Sequence, residues 1–156
     1  MEMKQKLLIP VFILSAILVS CGSGNSKKAV DPQKSASGGA VTPLTSETFR
    51  QYVYDYQNEK AWSYKGSKPA IVDFYADWCP PCRELSPLVE EVAKEYAGKI
   101  VVYKVNTDKQ KAVAQALGIT GLPTLLFIPV EGKPQVVMGY VPKENLEKGV
   151  NEVLLK

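Results

Sequence analysis

The sequence predicts an α/β domain over residues 41–156, with a central mixed β-sheet flanked by helices on both faces. Three observations predict it. Apolar runs of strand length alternate with segments of helical period. Helices intervene between the early strands, which implies parallel pairing. The last two strands read as a hairpin turning at Glu131-Gly132-Lys133, which makes them an antiparallel edge.

Val41-Thr42 adds a short first strand. Thr45 caps the first helix, with Leu44 and Phe49 placed as a hydrophobic staple across the cap. Phe49, Tyr52, Val53 and Tyr56 follow the spacing of one helical face. Lys65 to Pro69 breaks the chain, and Trp62 ahead of it has no role that the sequence assigns. Ala70 to Tyr75 is a short apolar run, as expected of a strand covered on both faces. The next helix starts near Cys79 with proline in its first turn, where a missing N–H costs least. Leu85, Leu88, Val89, Val92 and Tyr96 mark its buried side, and Pro87 should kink it. Ile100 to Val105 is a strand; Asp108 caps a helix running to Leu117, which Gly118 ends. Thr124 to Ile128 and Gln135 to Met138 form the hairpin, and Leu146, Val150, Val153 and Leu154 line a last helix.

Composition prunes the chemistry. A chain that is 46% hydrophobic and 22% charged is globular, and a net charge of +3 with no basic run longer than Lys27-Lys28 does not suggest a nucleic-acid partner, so none is expected. There is no histidine, so imidazole-assisted nucleophiles are ruled out and the commonest transition-metal ligand is missing. The three cysteines are Cys21, Cys79 and Cys82.

The N-terminal segment reads as an address. Lys4 and Lys6 precede an apolar stretch from Leu7 to Val19, 13 residues long, which suits a signal-peptide core and is too short to span a bilayer. Leu18-Val19-Ser20-Cys21 resembles the bacterial lipoprotein box. That resemblance implies a signal peptide over residues 1–20, lipidation of Cys21, and a periplasmic domain anchored to a bacterial membrane through its acyl chains. Residues 22–40 are rich in Gly, Ser and Lys and carry no aromatic residue, so they are expected to form a flexible tether reaching roughly 25 Å.

Cys79-Pro80-Pro81-Cys82 admits three readings: half of a zinc site, a structural disulfide, or a redox dithiol. Zinc takes about four ligands, and the domain offers two thiols and no histidine. A structural disulfide closing so short a loop stabilises little. A redox dithiol suits the strand-to-helix junction, because a thiolate at Cys79 gains from the helix N-terminus.

Val72-Asp73-Phe74-Tyr75-Ala76-Asp77-Trp78-Cys79-Pro80-Pro81-Cys82 resembles the active-site segment of thioredoxins, and the similarity extends from about Leu44 to the C-terminus. The resemblance implies the thioredoxin fold, with Cys79 as nucleophile and Cys82 as resolving thiol. Asp73 matches the family's buried aspartate, which suits it to take a proton from Cys82, and Lys104 matches its lysine partner. Gly121-Leu122-Pro123-Thr124 is similar to the cis-proline loop, leaving the Leu122 backbone to pair with substrate as a short added strand. Gly139 matches the glycine that closes the substrate groove, and Trp78 and Pro80 wall it. The implied partners are disulfide or dithiol proteins and a membrane electron donor or acceptor. No cofactor is expected beyond the redox-active pair, and the chain is expected to be a monomer.

Pro80 departs from the usual glycine at its position. Pro80 and Pro81 both lack an N–H, so a Cys79 thiolate keeps chiefly the donor of Cys82. Less thiolate stabilisation means a lower potential, which favours a reductant or general exchanger. The alternatives are a disulfide-forming oxidant or isomerase and, in a different class, a redox-inactive binding module. Asp73 and Lys104 are 31 residues apart and Lys104 and Pro123 are 19 apart, leaving no room for a helical insert, so an open groove is expected.

Overall fold

A computed structural model describes residues 38–156. The expected signal peptide, lipidated Cys21 and nearly all of the tether lie outside the described residues. Gly39, near the tether's expected end, is already buried; a Cβ there would approach the side chain of Ala97 to 3.1 Å.

Five strands form one sheet: β1 (Val41–Pro43), β2 (Ala70–Tyr75), β3 (Val101–Asn106), β4 (Thr124–Ile128) and β5 (Gln135–Met138). Their order is β1-β3-β2-β4-β5. The β1–β3 and β2–β3 pairs are parallel, while β2–β4 and β4–β5 are antiparallel. The helices are α1 (Ser46–Tyr52), α2 (Pro80–Glu95), α3 (Lys111–Ala116) and α4 (Lys143–Gly149), the last continuing as a wider π-helical stretch, Val150–Leu154.

Alternation along the strands builds a core on each face. Ala70, Val72 and Phe74 of β2 pack with Phe49, Val53, Tyr103 and Ile128 on one side. Ile71 points the other way and packs with Leu85, Val89 and Val92 of α2 and with Leu146, Val150 and Leu154. The expected burial of β2 on both faces is therefore observed, with Ala70 to Phe74 all buried. By the same alternation Asp73 projects to the α2 side.

Local signals behave as the sequence predicts in most places. Thr45 Oγ1 accepts from Thr48 N at 3.1 Å, and Thr48 Oγ1 in turn accepts from Thr45 N at 2.8 Å, closing a capping box. Leu44 and Phe49 are both buried. Trp62 acquires a place: with Tyr54, Tyr56 and Tyr64 it covers the first core, its ring 4.8 Å from that of Tyr54.

Three expectations are corrected. α1 ends at Tyr52, so Tyr56 reaches the core from the following loop, 6.3 Å from the Phe49 ring, and not from the helix. The third helix occupies Lys111–Ala116 with Gln110 at its cap, so Asp108 is not the cap residue. Asn106 Oδ1 instead takes the N–H groups of Asp108 and Lys109 at 3.1 and 3.2 Å, holding those residues in a turn ahead of the helix. Finally, a helix between β3 and β4 implied parallel entry, yet β4 runs antiparallel to β2. Six helical residues rise only about 9 Å, against roughly 20 Å for a six-residue strand. α3 cannot carry the chain back along the sheet, so β4 starts at the end where β3 stopped.

Candidate active site

The segment after β2 turns sharply. Cys79 N donates to the Ala76 carbonyl at 3.2 Å, and Cys79 then serves as the N-cap of α2 with extended backbone (φ −83°, ψ 109°). Pro80 and Pro81 occupy the first two helical positions. The Cys82 N–H is thus the first available donor, and it reaches Cys79 Sγ at 3.3 Å. Cys79 and Cys82 are bonded to each other, with an S–S distance of 2.03 Å, and both are buried.

The two sulfurs face different surroundings. Cys79 lines a groove of about 470 Å³ together with Trp78, Pro80 and Pro81 on one wall and Ile119 to Leu122 on the other. Cys82 borders a separate, smaller depression of about 220 Å³ beside Tyr75, Arg83 and Ser86. A disulfide-bearing protein laid in the larger groove meets Cys79 first.

Asp73 lies in the middle of β2, only 4% exposed, and its Oδ1 is buried without a hydrogen-bond partner. Burial pushes its carboxyl up to about 7, against the opposing pull of the Lys104 ammonium. Lys104 is its register partner on β3, and Lys104 Nζ sits 5.9 Å from the Tyr75 ring centroid. A carboxyl near neutrality can hold or release a proton at ordinary pH, which an exposed aspartate cannot.

Across the groove, the Leu122–Pro123 peptide is cis. The loop is fixed from both sides. Thr124 Oγ1 donates to the Gly121 carbonyl at 2.7 Å, and Gly139 N donates to the Pro123 carbonyl at 2.8 Å. Gly139 adopts φ +92°, a conformation that a side chain would disfavour. Of the predicted residues, Trp78, Cys79, Pro80 and Leu122 line the groove directly. Pro123 and Gly139 brace the loop that carries Leu122. Asp73 and Lys104 lie on adjacent strands beneath, and Cys21 is outside the described residues.

Sequence reasoning missed one contributor and misassigned it. Trp78 is 66% exposed, and its Nε1 donates to Asp108 Oδ2 at 2.8 Å. Beside it, Lys109 Nζ lies 3.5 Å from Asp77 Oδ2. The turn after β3 therefore holds the loop before Cys79. Nothing local marks Asp108 for this task, because its partner lies 30 residues away and helix-capping accounts for an Asp at that position equally well. Thr107 and Ile119 to Gly121 complete the groove, and they too are brought there only by the fold.

The family model described as Thioredoxin matches residues 40–152. A protein named thioredoxin from Borreliella burgdorferi is 48% identical over 109 residues, covering 70% of this chain and 93% of that protein. Thioredoxin 1 of a Nostoc species is 40% identical over 115 residues, covering 74% and 98%. Among solved structures, chloroplastic thioredoxin z aligns with a TM-score of 0.61 at 27% identity, covering 72% of this chain and 92% of that one. A thioredoxin of Malassezia sympodialis aligns with a TM-score of 0.59 at 28% identity, covering 72% and 90%.

Proposed function

The chain belongs to the thioredoxin family of thiol–disulfide oxidoreductases, and from that premise we propose that it exchanges dithiol and disulfide with protein substrates in the periplasm, acting as a reductant or general exchanger. The observation that carries the direction is the single backbone donor at Cys79: Cys82 N–H reaches its sulfur, and Pro80 and Pro81 have none to give. Each hydrogen bond to an ionised group contributes about 1.5–3 kcal/mol. A Cys79 thiolate short of such bonds makes the reduced form less stable, and the pair a better electron donor.

In the reducing direction the Cys79 thiolate attacks one sulfur of a substrate disulfide lying in the groove. The substrate S–S bond breaks, a mixed disulfide forms, and the departing substrate thiolate takes up a proton. Cys82 then loses its proton to Asp73 and attacks Cys79 Sγ. The enzyme disulfide closes and the substrate leaves as a dithiol, with two electrons transferred. Asp73 suits the acceptor role because it projects to the face covered by α2, which carries Cys82, and because its carboxyl titrates at about 7.

The N-terminal sequence supports an extracytoplasmic setting in which Cys21 is lipidated and a membrane electron donor recharges the pair. Incorporation of labelled palmitate by bacteria expressing the chain, lost in Cys21→Ser, tests the anchor. Equilibration of the Cys79–Cys82 pair against thiol buffers tests the direction. The family's reductants stand at about −270 mV and the strongly oxidising periplasmic relatives at about −120 mV. A value near the first supports a reductant. A value near the second makes the protein a disulfide-forming oxidant, and a pair that does not cycle makes it a binding module.

A further inference from the structure

Met138 is the only methionine among the described residues, and it ends β5 with 57% of its surface exposed. Its thioether lies against the groove: a Cβ built on Gly121 would stand 2.8 Å from Met138 Sδ, and Gly121 lines the groove wall. Val136 and Tyr140 are exposed on either side of it, so Met138 joins the groove to an apolar strip along the sheet edge. Cys79 and Cys82 are buried in the disulfide form, 2% and 3% exposed. Among the described residues, Met138 is therefore the sulfur-bearing side chain that stands exposed to a small oxidant.

We propose that Met138 is an oxidation site, and that its conversion to methionine sulfoxide by a peroxide weakens the docking of substrate proteins in the Cys79 groove. The proposal rests on the oxidoreductase reading above. The sulfur lone pair attacks one peroxide oxygen, the O–O bond breaks, an S–O bond forms, and the second oxygen leaves as water. The sulfur loses two electrons and the peroxide gains them. The product is polar and chiral where the thioether was apolar and adaptable. Its oxygen must be desolvated when an apolar substrate segment covers the strip, a cost the unmodified side chain does not impose. Methionine sulfoxide is reversible by thiol-dependent reductases, which makes the change a switch.

The full chain in its disulfide form is treated with hydrogen peroxide, freed of it, mapped by peptide mass spectrometry and assayed for insulin reduction with dithiothreitol as electron source. Oxidation at Met138 is expected to raise the KM for insulin about five-fold with kcat unchanged. Met138→Leu should show the same KM before and after treatment, and Met138→Gln should show a higher KM than Met138→Leu without treatment. The inference is overturned if Met138 stays unmodified under peroxide that oxidises free methionine, if oxidised Met138 leaves KM unchanged, or if Met138→Leu responds as strongly. An untreated chain that fails to reduce insulin overturns the proposed function instead, a result distinct from an active chain indifferent to Met138 oxidation.

Discussion

Trp78 and Asp108 meet at the mouth of the groove, where the indole N–H donates to the carboxylate at 2.8 Å. A side chain as exposed as Trp78 has many orientations available, and this bond selects one. Asp108→Ala removes the acceptor and frees the ring. Losing an interaction of about 0.5–1.5 kcal/mol predicts a loss of stability of at most that size, and a KM for protein disulfides raised by at most about two- to ten-fold. Steady-state kinetics together with urea unfolding separates the two effects.

The Asp73 carboxyl predicts a pH-dependent stability of defined sign. Its folded-state value of about 7 lies above the ordinary aspartate value of 3.8. Between those values the folded chain holds a proton that the unfolded chain has lost, so stability falls as pH rises from about 4 to about 7 and is flat beyond. The full loss is on the order of 4 kcal/mol at 1.36 kcal/mol for each pH unit. Asp73→Asn removes the cost of the buried charge, so the variant should be more stable than the parent at pH 8 and equal to it at pH 3. Its disulfide exchange should nevertheless slow by about ten-fold or more. A variant less stable at pH 8 would contradict the burial argument.

Restoring a donor at Cys79 should raise the potential. A side chain at an N-cap accepts from the second or third helical N–H; here the second is Pro81 and the third Cys82. Pro81→Ala returns the missing donor, and about 1.5 kcal/mol of added thiolate stabilisation corresponds to about 30 mV upward. Pro80→Gly returns an N–H at the first position, which points less directly at the sulfur, and should shift the potential less. Paired measurements in one thiol buffer series decide it.

Gly149 is held to glycine by packing. A Cβ there would lie 2.6 Å from Cε1 of Phe127, a buried ring near the end of the hairpin strand β4. Gly149→Ala gains helix propensity of about 1 kcal/mol, but overpacking costs about 1–3 kcal/mol. The net expectation is a loss of stability of up to about 2 kcal/mol, and Phe127→Leu in the same chain should relieve it. Chemical denaturation of the single and double variants tests this.

The sequence was most legible where a local rule and the global pattern agree. Thr45, Gly118 and the apolar run through β2 each sit where capping, helix-stop and strand chemistry place them, because their partners are within a few residues. The Cys79-to-Cys82 segment was legible for the same reason: two prolines and two cysteines specify both a helix start and its chemistry. Legibility failed where long-range contacts chose between two good local options. Asp108 is as good a cap as any aspartate, but an indole 30 residues upstream claims it. The direction of β4 depends on the reach of a six-residue helix, a length that periodicity resolves poorly. Met138 reads as the end of an ordinary strand until the sheet sets it beside Gly121.

The sheet edge formed by β1 has a mechanical consequence. The chain enters the domain through three residues paired with β3, the last pair being Pro43 and Lys104, followed by the bond from Leu44 N to the Lys104 carbonyl at 2.9 Å. Next in line, β3 is held to β2 by six pairs, including the one that sets Lys104 opposite Asp73. Tension arriving along the chain from before residue 38 is therefore borne first by the shorter ladder. A chain pulled from that end is thus expected to give up the three β1 pairs before the six that join β2 and β3.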